Sequence, residues 1–167
     1  MNLRRVEISR RIRASAESLF QAWIDPAELA LWWCREGPGG AFVSASVDAR
    51  VGGIFRLAMR GPSGRTHIAT GRYREVVPPA RLVFSWDWEH HEDGVGDTLV
   101  TVTFSPIDAL STEVCIVHEG FVADEAVEAG RDCARQGFAA DTGRAGGHAQ
   151  GWTELLGRLM ALKEVSR

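Results

Sequence analysis

Val6, Ile8 and Ile12 alternate with Glu7, Ser9 and Arg11, and that period of two predicts a half-buried strand near the start of the chain. Ser15 then precedes Ala16, Glu17 and Ser18 as an N-cap, because its hydroxyl can accept from a first-turn N–H. Leu19, Phe20 and Trp23 form the apolar stripe of the helix that follows. Pro26 disfavours helical geometry at Asp25, so this helix stops and a second short one, Ala27 to Trp33, begins. It runs out in the loop Gly37-Pro38-Gly39-Gly40.

Strand signals then follow one another. Phe42 to Val47 is short, and Gly52-Gly53 opens Ile54 to Met59. Gly61-Pro62-Ser63-Gly64 turns the chain into Thr66 to Val77, and Pro78-Pro79 breaks it before Leu82 to Trp88. Gly94 to Gly96 leads to Thr98 to Phe104, and Pro106 to Leu110 leads to Thr112 to Glu119. Closely spaced strands with tight turns read as an antiparallel meander, and the absence of strand–helix–strand alternation excludes a parallel sheet. Ala123 to Ala139 permits a helix but is interrupted by Gly130 and Gly137, and Asp141 to Gly147 reads as loop. Gly151 to Lys163 is amphipathic, with Trp152, Leu155, Leu156, Leu159 and Leu162 on one side. The expected fold is therefore α+β: a curved antiparallel sheet of about six to seven strands wrapped on a long C-terminal helix, with two short helices after strand one. At 167 residues the chain suits a single domain, 1–167.

The pleat sorts side chains into faces. Leu82, Phe84, Trp86 and Trp88 share one side, against Val83, Ser85 and Asp87. Val114, Ile116 and His118 oppose Glu113, Cys115 and Glu119; Val100, Val102 and Phe104 oppose Thr101 and Thr103; Phe55, Leu57 and Met59 oppose Arg56 and Arg60. Trp86, Trp88 and Trp152, with Trp32 or Trp33, are expected to converge at one end of the sheet–helix interface. Rings gathered in this way either pack a core or line a cavity, and alternation is compatible with both.

Charge and chemistry narrow the picture mainly by exclusion. A net charge of −3 gives no electrostatic reason to seek nucleic acid, and Arg4, Arg5, Arg10, Arg11 and Arg13 sit among alternating apolar residues, as on a solvated strand face. No run approaches the ~20 apolar residues of a membrane span and no signal-peptide core is seen, so a cytoplasmic address is expected. Cys34, Cys115 and Cys133 are odd in number and lack C-x-x-C spacing, against a disulfide framework or a structural zinc site. No G-x-S-x-G or phosphate-loop motif occurs. His90-His91-Glu92-Asp93 reads as a solvated turn rather than a metal site, because adjacent hairpin residues point apart. No metal or cofactor is expected. His118 has inward parity, as a proton carrier or a satisfied core histidine; Arg10 shares that parity, and Tyr73 is the third polar candidate.

Arg10 to Ala14 with Ala22-Trp23-Ile24-Asp25-Pro26, then Glu28-Leu29-Ala30-Leu31-Trp32-Trp33, form an opening strand and two helices ending in paired tryptophans. Val51-Gly52-Gly53-Ile54-Phe55, the hairpin Gly71 through Trp86, and Thr112-Glu113-Val114 to His118-Glu119-Gly120 with Gln150-Gly151-Trp152 complete the series. In this order they resemble the family named after the activator of the ninety-kilodalton heat-shock-protein ATPase (AHSA-like), in the START-like SRPBCC superfamily of polyketide cyclases and lipid-transport proteins. The resemblance implies a helix-grip (START-like, Bet v-like) fold with a cavity between the sheet and the C-terminal helix. It implies binding of a small apolar or amphipathic ligand, as a carrier, sensor or stress-related protein. The expected ligand-binding set is Trp32, Trp33, Phe55, Tyr73, Phe84, Trp86, Trp88, His118, Trp152, Leu155 and Arg10, with no catalytic residue assigned. A cyclase- or hydratase-like enzyme using His118, Arg10 or Tyr73 is one alternative, and a cochaperone-type interaction module another. Expected partners are that small molecule and no nucleic acid; a homodimer is left open. The chain departs from the family pattern around 124–147, before the C-terminal helix, where the extra residues read as a lid or as a surface insert.

Overall fold

Two local interactions set the start of the fold. The Ser18 N–H donates to Ser15 Oγ at 3.1 Å and starts α1 (Ala16–Ile24). Asp25 serves both helices: its N–H closes α1 on the Gln21 carbonyl, and its carboxylate accepts from the Ala27 N–H at 2.8 Å to start α2 (Pro26–Trp32). The computed structural model describes residues 3–34, 40–61, 63–89, 98–122 and 146–165. The turn at Gly94 to Gly96, the His90-His91-Glu92-Asp93 stretch and nearly all of the 124–147 segment lie outside these residues.

Seven strands follow the expected order: β1 (Leu3–Ile12), β2 (Ala41–Val47), β3 (Ile54–Arg60), β4 (Thr66–Val77), β5 (Arg81–Trp88), β6 (Thr98–Pro106) and β7 (Thr112–Val122). They form one antiparallel sheet ordered β1-β7-β6-β5-β4-β3-β2, so the first strand crosses over to pair with the last. The C-terminal helix α3 (Gly146–Val165) begins five residues earlier than its apolar stripe suggests and lies against β1 and α2. This is the helix-grip architecture. Among the described residues no helix is long and apolar enough to cross a membrane.

Pleat parity holds through most of the sheet. Val100, Val102, Phe104, Val114 and Ile116 are buried, whereas Glu113, Arg56 and Arg60 are exposed. Three residues depart from it. Val83 and Ser85, expected on the outer face, are buried, because β5 is a central strand and Ser85 Oγ accepts the Arg72 N–H at 2.9 Å. Arg10, expected inward, is exposed. It stands on an edge strand, where a long side chain can reach water and avoid desolvating a guanidinium.

Two contacts tie α3 to α2. The Arg158 guanidinium donates from Nε to the Trp32 carbonyl and from Nη2 to the Trp33 carbonyl, each at 3.0 Å, satisfying acceptors that the end of α2 leaves open. Lys163 pairs with Glu28 at 2.9 Å. Glycine is required where β4 passes β3. A Cβ on Gly71 would lie 1.8 Å from the Ser85 carbonyl oxygen and 2.6 Å from the Phe55 ring, whereas one on Gly157 in α3 would meet nothing within 4 Å.

Gly71→Ala is therefore expected to destabilise the fold by at least about 3 kcal/mol, because backbone and ring must both move. Gly157→Ala should stabilise it by about 0.5–1 kcal/mol through helix propensity. Urea unfolding of the two variants beside the parent checks both signs.

Candidate functional site

The site begins with two glycines. Gly52 turns the chain at φ +83°, and a Cβ on Gly53 would sit 2.0 Å from the Asp48 carbonyl oxygen, so neither position accepts a larger residue without strain. The Gly52 N–H donates to the Tyr73 carbonyl and the Tyr73 N–H to the Gly53 carbonyl, both at 2.9 Å. This clamp places Tyr73 beside the start of β3. Phe55 pairs in register with Gly71, and its ring fills the space left by the missing side chain. Tyr73 pairs with Phe84 across β4 and β5. The three rings meet edge to face, Phe55 to Phe84 at 5.2 Å and Phe55 to Tyr73 at 5.8 Å between centroids.

These rings form one wall of a cleft lined by Trp23, Leu29, Trp33, Val47, Phe55, Leu57, Tyr73, Phe84 and Trp86. Its free space, including the part open to solvent, is about 280 Å³. Of the expected set it brings together Trp33, Phe55, Tyr73, Phe84 and Trp86. Trp23, Leu29, Val47 and Leu57 complete it. The cleft thus lies between β2–β5 and the two short helices, not along α3.

The other expected residues have separate places. Trp32 is buried with its Nε1–H donating to the Ala22 carbonyl at 3.0 Å, which fixes its ring between α1 and α2. Trp88 is half-buried beyond Trp86, at 5.7 Å between rings. Leu155 is fully buried in the core, and Arg10 faces solvent. Trp152 stacks on Trp23 at 6.3 Å and meets Trp86 at 5.5 Å.

His118 belongs to a buried polar chain rather than to the cleft. An indole N–H can only donate, so the Trp152 Nε1–H makes His118 Nδ1 the acceptor, at 3.2 Å. The proton must then sit on His118 Nε2, which donates to Thr98 Oγ1 at 2.7 Å, while the Thr98 hydroxyl donates to the Trp86 carbonyl at 3.0 Å. Each link sets the direction of the next. The arrangement selects the neutral histidine and joins β7, β6, β5 and α3. It is the satisfied core histidine, and both ring nitrogens are engaged.

Two groups near the cleft have shifted protonation. Burial, reinforced by the Asp48 carboxylate, pushes the Tyr73 phenol well above its usual range, so the hydroxyl keeps its proton. Burial pushes the Cys34 thiol up to about 11, against a smaller opposing effect of the Arg158 charge. Among the described residues no group of three or more histidine, cysteine or acidic side chains is arranged to hold a metal.

Fold and site together define a helix-grip, START-like protein with an aromatic cleft. The model of the Activator of Hsp90 ATPase homolog 1-like protein family matches residues 13–164, and the chain belongs to that family. A crystal structure from Chromobacterium violaceum is 27% identical, with a TM-score of 0.71 over 96% of this chain and 98% of that one. One from Rhodobacter sphaeroides is 28% identical, with a TM-score of 0.71 over 95% and 90%. An HSP90 activator from Plasmodium falciparum is 27% identical, with a TM-score of 0.55 over 71% and 74%. No curated protein matches the sequence.

Trp23 was the most informative residue left out of the expected set. It closes the stripe Leu19, Phe20, Trp23 just before Asp25-Pro26, where the chain reverses toward the Trp32–Trp33 pair, and that position was the available signal.

Thr98→Val should cost about 2 kcal/mol, since the His118 Nε2–H and the Trp86 carbonyl lose a buried partner, while Thr98→Ser should cost under about 1 kcal/mol. Thermal or urea unfolding measures both. The raised Cys34 pKa stabilises the fold below pH 9, and that contribution is lost as pH rises through about 11. In a Cys115→Ser, Cys133→Ser variant, iodoacetamide should therefore label native Cys34 about 100-fold more slowly at pH 8 than the same thiol in urea, with the rate climbing toward pH 11.

Proposed function

We propose that this chain binds a small apolar or amphipathic molecule in the cleft, as a carrier or sensor. The lining supports this reading: six aromatic rings and three aliphatic side chains, none of them charged, around about 280 Å³ of free space. Rigid rings meeting edge to face leave gaps that aliphatic side chains would fill. Part of that space is open to solvent, so a ligand enters from the open side and displaces side chains there. Val47, half-buried on the edge strand β2, is the least constrained of them. A cytoplasmic setting accompanies this reading, since Cys34 and Cys115 are free thiols.

The cyclase-like alternative keeps only Tyr73 at the cleft, because His118 is engaged by Thr98 and Trp152 and Arg10 is exposed. A second reading, a cochaperone-type module, is favoured by the 27% identity to the Plasmodium HSP90 activator. Pull-down with the purified chaperone tests it, and no recovery at micromolar concentrations rejects it.

Native mass spectrometry of the purified protein should show a co-purifying apolar molecule, and titration with the neutral probe N-phenyl-1-naphthylamine should give blue-shifted, saturable emission. Val47→Phe, which narrows the open side, should weaken the probe by about tenfold, near 1.4 kcal/mol, with an unchanged circular dichroism spectrum. An empty protein that also leaves the probe unshifted rejects the binding reading.

A further inference from the structure

The cleft carries one buried hydrogen-bond donor with no acceptor among the described residues, and beside it the phenol of Tyr73. Trp23 is 4% exposed, and among the described residues its Nε1–H has no hydrogen-bond partner. Two other buried indoles are provided for: Trp32 donates to the Ala22 carbonyl and Trp152 to His118 Nδ1. A native fold seldom leaves such a donor unpaired without a reason. Tyr73 is 3% exposed, and among the described residues no group hydrogen-bonds its hydroxyl. Both residues line the same cleft.

Electrostatics then selects among ligands. None of the nine lining residues is charged, so a carboxylate or phosphate would lose its hydration with no cation to replace it. Asp48, close enough to act on the Tyr73 phenol, adds repulsion toward an anion and has its own partner in Arg50 at 2.8 Å. A cation would meet N–H and O–H donors rather than acceptors. A neutral acceptor such as a ketone, ester or amide carbonyl suits both donors.

Resting on the apolar-ligand reading, we infer that the cleft selects a neutral, largely apolar compound whose acceptor oxygen takes the Trp23 Nε1–H and Tyr73 hydroxyl protons.

The test compares acetophenone with ethylbenzene, benzoate and phenyltrimethylammonium by ligand-observed saturation-transfer NMR on the intact protein, each titrated to a dissociation constant. Acetophenone should bind about tenfold more tightly than ethylbenzene, the scale of one or two net hydrogen bonds, and both ions should bind more weakly than either. Tyr73→Phe should bring acetophenone to within about threefold of ethylbenzene while leaving ethylbenzene unchanged. Should that variant fail to fold, Trp23→Phe carries the same comparison, and the charge series on the parent protein decides in any case. Equal binding of acetophenone and ethylbenzene, or tightest binding of either ion, overturns the inference and leaves an apolar-ligand site in place. No binding by any of the four overturns both.

Discussion

The indole of Trp152 is the point on which the arrangement of layers depends. From the second turn of α3 it stacks on Trp23 of α1, touches Trp33 after α2 and Trp86 of β5, and donates its N–H to His118 of β7. A buried indole must find an acceptor, and a buried histidine must have both nitrogens satisfied. The two requirements meet in one bond. The resulting chain through Thr98 to the Trp86 carbonyl leaves a single proton arrangement and so a single seating of the helix on the sheet. The Arg158 fork on the end of α2 holds the other side of α3.

With α3 held against β1 and α2, the far end of the sheet is covered differently. There β2 offers Phe42, Ala45 and Val47, each only half-buried, and the short helices supply the cover. Wide rings from α1, the residue capping α2, β3, β4 and β5 converge without closing the space between them, and the cleft is what remains. Its chemistry follows from the same packing: a wholly uncharged lining, a phenol kept protonated by burial, and the Trp23 indole N–H, which finds no acceptor among the described residues. Membership in the Hsp90-activator-homolog family describes the scaffold, and sites on this scaffold must be argued from their own residues.

How far each feature was legible follows the range of the interaction behind it. Ser15 as a cap, the helix break at Asp25-Pro26, the G-G entry to β3 and the faces of β3, β6 and β7 rest on neighbours in sequence, and they stand in the structure as expected. His118 shows where that reach ends. Parity placed it inward, but whether it met a ligand or a core partner depended on Thr98 and Trp152, 20 and 34 residues away. Arg10 had the same parity and the opposite outcome, since inward parity at a sheet edge does not compel burial.

The order of elements, the antiparallel sheet, the aromatic inventory and the family were determined by the sequence itself, because periodicity, turn chemistry and short motifs act over a few residues. Which tryptophans line space and which are pinned was decided only by tertiary structure. Trp32 and Trp33 are adjacent in the chain and chemically alike. The Ala22 carbonyl holds one between the helices, while the other faces Trp86 across the cleft, and nothing in the local sequence distinguishes them.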